Sequence, residues 1–326
     1  MEKYKGLVIE GGGARGIVYG GALQAMGKKG VLGNIIHYMG TSVGSITALM
    51  LVLGYTPQEI VIKTVNLRSD DILKKDFFFY INDAKNSENV FSIAKYIMLG
   101  LTIGLFRVPV NLIHLFFFEN GYYDNAPLRK WIEKLLVDKG FDKDTSFKTI
   151  WEKTGKKLYI TTTNWDREYV RVFSVDDDNV SVLDAVMISV SIPYFFRSVN
   201  IGGERYVDGG LVANYNIDYL SDNNIINAKD IIGLRVDDKS EIAGFNEGKL
   251  FKVKKKKKNF LQSLINTIDI MYAGANTPTL RGKHEQTTIR LSDHGIGVVD
   301  FSMNKEKKLY YSDLGYIDFS NKYKHQ

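Results

Sequence analysis

Two short apolar runs, each delivered into a glycine turn and then into a helix-spaced segment, restrict this chain more than any other feature. The first, Gly6-Leu7-Val8-Ile9-Glu10, is closed by Gly11-Gly12-Gly13-Ala14-Arg15-Gly16 and followed by helical spacing through Lys29. The second, Ile35-Ile36-His37-Tyr38-Met39, meets Gly40-Thr41-Ser42-Val43-Gly44 and then an apolar, helix-like segment from Ile46 to Leu53. Short apolar runs bounded by glycine read as buried strands, and strands alternating with helices build a parallel sheet covered by helices. The expected fold class is therefore α/β, with a mostly parallel central sheet flanked by helices. Leu158 to Thr163, Tyr169 to Val175, Arg205 to Val207 and Ile231 to Val236 add strands by their β-branched and aromatic content. Pro127 to Val137, Val182 to Val190 and Phe260 to Ala273 add helices. With no internal repeat and no Pro-rich linker, the expectation is one domain over 1–326, with a helical insertion over about 56–136 after the second helix.

The first turn satisfies G-x-G-x-x-G between a strand and a helix, the context of a dinucleotide fingerprint. That fingerprint also needs an acidic residue about 20 positions on to hold a ribose, and no Asp or Glu occurs between Glu10 and Glu59. A nucleotide cofactor loses its second anchor. What is left is either a tight turn without a ligand or a nest of backbone N–H groups beside a helix N-terminus, suited to a developing anion. The second turn is a G-x-S-x-G in the strand, turn and helix setting in which Ser42 would stand exposed on a sharp elbow as a nucleophile. A serine at that place can also be a helix N-cap.

A nucleophilic serine needs a base. Of the five histidines, His37, His114, His284, His294 and His325, only His284 and His294 fall late in polar, loop-like sequence, as the order Ser, Asp or Glu, His of a hydrolase triad would require. The other candidate is Asp208 in Tyr206-Val207-Asp208-Gly209-Gly210, an aspartate ending a strand before two glycines that permit close backbone approach. An aspartate before glycine is also a common turn residue. On residue types alone, a Ser/His/Asp triad esterase and a Ser/Asp pair both stay open.

The three glycine-marked segments, in this order and spacing, resemble the patatin-like phospholipase family, as do Tyr123-Asp124-Asn125-Ala126-Pro127-Leu128 and Ser189-Val190-Ser191-Ile192-Pro193-Tyr194-Phe195-Phe196. The sequence departs from the family where an Asn-x-Pro often follows the Asp-Gly pair, since Asn214-Tyr215-Asn216 stands there. The resemblance implies a phospholipase A-type lipid acyl hydrolase with a catalytic dyad and no histidine. Ser42 would attack the ester and Asp208 would take and return the proton. An ordinary aspartate pKa of about 4 requires the site to raise its proton affinity or to rely on electrostatic stabilisation of the oxyanion. The oxyanion would lie against the turn Gly11, Gly12, Gly13, Ala14, Arg15 and Gly16, with the N–H groups of Gly11 to Gly13 as donors and Arg15 orienting the loop or adding positive potential. Gly40, Gly44, Gly209 and Gly210 would shape the two other motifs. Water deacylates Ser42, so neither a metal nor a cofactor is expected. The resemblance also admits a catalytically silent lipid-binding or nucleotide-sensing module on the same fold, and an activating protein or small molecule.

Composition narrows the partners. The chain carries 43 Lys and Arg against 37 Asp and Glu, and six of the lysines, Lys252, Lys254, Lys255, Lys256, Lys257 and Lys258, fall in one stretch; without them the charges balance. A single basic spike is not the spread basic face that tracks a nucleic acid. It reads as a solvated loop, a nuclear-import signal or a clamp for an anionic membrane, where each lysine contributes about 1 kcal/mol. With no cysteine, disulfides, thiolate zinc sites and cysteine nucleophiles are excluded. The N-terminal residues lack a secretory h-region, so the expectation is a cytoplasmic, peripherally membrane-associated protein or one delivered into another cell. Tyr96 to Phe118 is long enough to span a bilayer, but Arg107, Pro109, Asn111 and His114 within it disfavour that. It reads as two helices of the insertion, forming either a lid or core. The aromatic runs Phe77 to Tyr80 and Phe116 to Phe118 suit either role. Asp176-Asp177-Asp178 reads as a turn after a strand rather than a calcium site.

Overall fold

The computed structural model describes residues 3–73, 123–238 and 283–323. Within them the strands are β1 (Gly6–Ile9), β2 (His37–Thr41), β3 (Lys157–Asn164), β4 (Tyr169–Phe173), β5 (Val199–Ile201), β6 (Glu204–Asp208), β7 (Ile231–Asp237) and β8 (Thr288–Ser292). They form one sheet in the order β5-β6-β3-β2-β1-β7-β8, with β4 on β3. The pairs β3/β2, β2/β1, β1/β7 and β7/β8 are parallel, while β4, β5 and β6 add an antiparallel end. The α/β fold with a helix-flanked, mostly parallel sheet is what the glycine turns predict.

The helices are α1 (Ile17–Lys28), α2 (Val43–Val52), α3 (Pro57–Asn66), α4 (Ala126–Val137), α5 (Phe147–Thr154), α6 (Val182–Ser189), α7 (Asp218–Asp222) and α8 (Lys305–Lys322). Every residue of β1 and β7 is buried, because strands of a parallel sheet are covered on both faces. The helices α1, α2 and α6 are buried nearly all round for the same reason. α3 opens with a capping box, Thr56 and Glu59 exchanging bonds ahead of Pro57, and packs on α1. α2 begins at Val43, ahead of the apolar run from Ile46, so Ser42 abuts the helix directly. The strand beginning at Tyr169 closes at Phe173. There Asp177 turns the chain, accepting from the N–H of Ser174 at 2.8 Å and pairing with Arg171. Of the expected insertion, α3 and α4 are described and 74–122 lies outside the described residues, as do the expected helix Phe260 to Ala273 and the lysines 252–258.

The register of β3 brings the ends of β2 and β6 together. β3 pairs β2 over Lys157–Thr161, β4 over Ile160–Asn164 and β6 over Thr162–Asn164. Residues 160 and 161 bond both β2 and β4, and residues 162–164 bond both β4 and β6, so β2 and β6 share one edge of β3. β6 takes up that edge where β2 leaves it: Thr41 pairs Thr161 and Asp208 pairs Thr162. Since β2 runs parallel to β3 and β6 antiparallel, their C-terminal ends meet head-on.

Candidate active site

Ser42 follows the last residue of β2 with φ 51° and ψ −126°, a conformation that a non-glycine residue adopts only where its surroundings enforce it. Those surroundings are tight. A Cβ at Gly44 would run into the carbonyl oxygens of Ile9 and Glu10, and one at Gly40 into the Gly44 backbone. The G-x-S-x-G spacing is thus a packing requirement, and it presses the elbow onto the end of β1. Ser42 occupies the N-cap place of α2, yet its side chain makes no capping bond, so the hydroxyl is not engaged as a cap.

Asp208 ends β6 and is fully buried; its Oδ1 accepts the N–H of Gly210 at 2.7 Å. Gly209 lies against the Thr161 carbonyl, where a side chain would not fit. The end of α6 and the residues just after it touch both residues. Ser189 Oγ accepts the N–H of Ser42 at 2.9 Å and donates to the Thr161 carbonyl at 2.7 Å, while the Ser191 carbonyl accepts the N–H of Asp208 at 2.9 Å. Three residues of chain therefore fix the elbow and the aspartate relative to the same strand. Nothing in the sequence singled out Ser189, although it lies in a segment that carried the family resemblance. Ser189→Ala leaves a buried N–H without its acceptor, which costs about 1–3 kcal/mol. The expected outcome is a Tm lower by several degrees and slower fluorophosphonate labelling of Ser42; unchanged values of both would mean the elbow is held otherwise.

In the first glycine turn, most donors are already engaged. The N–H of Gly11 binds the Asn214 carbonyl at 3.2 Å, that of Ala14 the Val298 carbonyl at 2.8 Å, and that of Arg15 the Gly12 carbonyl at 3.1 Å. Among the described residues no protein acceptor meets the N–H groups of Gly12 and Gly13. Arg15 donates from Nε to the Ile296 carbonyl at 3.0 Å and lies 3.8 Å from Asp293, so its guanidinium ties the turn to the segment after β8. Asn214, at the departure from the Asn-x-Pro pattern, packs on Gly11 and donates to its carbonyl at 3.4 Å.

Ser42 and Gly13 open into a cleft of about 890 Å³, its space to solvent included, walled by Ile46, Trp131, Ile192 and Phe196 among other apolar side chains. Ile192 and Phe196 belong to the Ser189 to Phe196 segment, and Tyr123 bridges to Phe196 and donates from its N–H to the Phe195 carbonyl at 2.9 Å.

The described histidines are engaged elsewhere. His37 sits at the start of β2, the opposite end of that strand from Ser42, and bonds the Tyr159 hydroxyl at 3.1 Å; burial, Lys157 and Lys5 bring its pKa down to about 4. His284 is buried 3.2 Å from Ser221 Oγ, with its pKa lowered by burial. His294 pairs with Asp318 of α8 at 3.0 Å. Among the described residues no histidine bonds Ser42 and no His, Asp and Glu cluster could hold a metal ion. No described helix is long and apolar enough to cross a membrane.

The family model described as patatin-like phospholipase matches residues 7–221. The probable lipid hydrolase 463L of Invertebrate iridescent virus 6 is 28% identical over 217 residues, which cover 66% of this chain and 62% of that protein. The chain thus spans less than two thirds of that relative's length. The uncharacterized protein YqhO of Bacillus subtilis (strain 168) is 23% identical over 318 residues, 94% of each chain. Among solved structures, VipD from Legionella pneumophila is similar in fold, with a TM-score of 0.53 at 16% identity over 99% of this chain and 67% of that one. With a family match that takes in all three glycine-marked motifs, this chain belongs to the patatin-like phospholipase family.

Proposed function

We propose that the protein is a lipid acyl hydrolase of the phospholipase A type, working through a Ser42/Asp208 dyad. Ser42 Oγ attacks the ester carbonyl carbon of a lipid whose acyl chain lies in the apolar cleft, while Asp208 accepts the Oγ proton. The carbonyl oxygen becomes an oxyanion, met by the N–H groups of Gly12 and Gly13. The tetrahedral centre collapses, the proton passes from Asp208 to the leaving alcohol, and an acyl-Ser42 ester remains. Water then repeats the sequence, with Asp208 taking its proton, and releases the fatty acid. The observation that carries this reading is the head-on meeting of β2 and β6 on one edge of β3, beside two N–H groups that no acceptor among the described residues meets and next to an apolar cleft that Ser42 lines.

The test is incubation of the purified protein with a mixed lipid extract, with released fatty acids and lysolipids read by mass spectrometry. Equimolar fatty acid and lysophospholipid are expected. Failure to release either, together with failure of Ser42 to label with a fluorophosphonate, would sink the hydrolase reading in favour of a lipid-binding module.

A further inference from the structure

We propose that Lys308 is the anion-binding residue of the cleft, holding the phosphate group of a glycerophospholipid while its acyl ester lies at Ser42. The proposal rests on the reading of the cleft as the lipid site. It begins from a charge that packing alone does not require. Lys308 is 7% exposed, lines the same cleft as Ser42, and among the described residues is the one charged side chain in that lining. Its ammonium donates to the Leu67 carbonyl, and no described carboxylate lies within 4 Å of it. An ammonium carries three donors, and burying one among apolar groups is costly unless it is paired. Leucine or methionine would fill the same space without that cost.

The topology places Lys308 at the Ser42 end of the cleft. α1 and α2 both leave the C-terminal edge of the sheet, after β1 and β2, and run away from it. α3 follows α2 after the short turn through Gly54 and returns, so Leu67, its C-cap, comes back to that edge. α8 begins just after the segment whose Val298 carbonyl holds the N–H of Ala14 in the first glycine turn. Lys308, in the first turn of α8, donates to the Leu67 carbonyl and so lies in the cleft lining at that same edge. A cation there is misplaced for an acyl tail and well placed for the phosphodiester that lies a few bonds from the ester in a phospholipid. A neutral glyceride has no group to offer it. Burial holds the Lys308 pKa below the ordinary lysine value and Asp71 offsets this only in part; a phosphate would favour the ammonium further.

The competing role for Lys308 is structural, a cation capping the C-terminal carbonyls of α3. Binding separates the two. In a Ser42→Ala background that cannot turn over, calorimetric titration with monomeric dihexanoylphosphatidylcholine, dihexanoylglycerol and inorganic phosphate is compared for Lys308, Lys308→Met and Lys308→Arg. The expected result is a loss of phosphatidylcholine affinity on the order of tenfold to a hundredfold in Lys308→Met, partial recovery in Lys308→Arg, and little selectivity left over the glyceride. Equal affinities of the lysine and methionine forms for phosphatidylcholine would overturn the proposal. So would a Lys308-dependent affinity confined to inorganic phosphate, which would mark a free-anion site. Thermal unfolding of Lys308→Met shows whether the fold survives; if it does not, Lys308→Gln replaces it. Lys308-dependent phosphatidylcholine binding by a protein whose parent form cleaves no lipid would leave this proposal standing and defeat the hydrolase reading.

Discussion

Ser42→Ala is expected to abolish lipid ester turnover, Asp208→Asn to lower it nearly as far, and the double variant to lose no more than either single one. Residues that act as a unit are non-additive in this way, because once the nucleophile or its proton acceptor is gone the other has nothing left to do. A loss on the order of 10⁴-fold or more is expected for each, with the residue of activity coming from the oxyanion donors and the cleft. Neither replacement should unfold the chain. The Ser42 side chain makes no capping bond, and alanine tolerates a φ of 51° no worse than serine does. Asparagine at Asp208 retains an oxygen for the N–H of Gly210. Initial rates on a phospholipid, with Tm as the control, decide the matter. Full retained activity in either single variant removes the dyad. If instead His294→Ala abolished turnover while Asp208→Asn did not, the triad esterase would replace it; no described histidine bonds Ser42, which makes that outcome unexpected.

The parts of the molecule that were legible in the sequence are those where backbone geometry dictates the residue. Gly40, Gly44 and Gly209 stand where a Cβ would collide with a neighbouring backbone, so glycine at these positions announces both the turn and its tightness. β1 and β7 are buried on both faces and show as unbroken apolar runs. α8 was illegible because its buried stripe is Lys308, Ser312, Gly315 and Phe319. The spacing is helical, but three of the four residues are not apolar, since small residues let the helix approach α1 and a lysine faces the cleft. β8 is short and buries only alternate residues, Ile289 and Leu291, so its signal is two side chains deep. In the first glycine turn the sequence names six residues alike. Only the partners of Gly11, Ala14 and Arg15, contributed by segments up to some 280 positions away, separate engaged donors from those left at Gly12 and Gly13. Ser189 was hidden for the same reason, since a serine near a helix end acquires meaning from the Ser42 N–H that meets it.

A second large effect is expected where no catalytic group is touched. Arg235→Met should destabilise the fold by about 3–5 kcal/mol, a large share of the 5–15 kcal/mol that holds a typical domain together. Glu10, Arg235 and Asp237 are each at most 1% exposed. Arg235 pairs with Asp237 and lies 3.8 Å from Glu10 Oε1, while Arg290 donates to the other Asp237 oxygen at 2.7 Å. The opposite oxygen of Glu10 accepts the N–H of Val236 at 2.7 Å. Removing Arg235 takes away the cation both carboxylates share, in a setting where an uncompensated charge is expensive. Glu10→Gln in the Arg235→Met background should recover part of the loss, because it removes a buried charge that has lost the Arg235 cation. Glu10 immediately precedes Gly11, so the stability change should be accompanied by slower labelling of Ser42. Urea unfolding of the single and double variants measures the first effect, and fluorophosphonate labelling under native conditions the second. A deficit that Glu10→Gln did not reduce would show that packing around Arg235, and not its charge, is what holds β1 to β7 beneath the glycine turn.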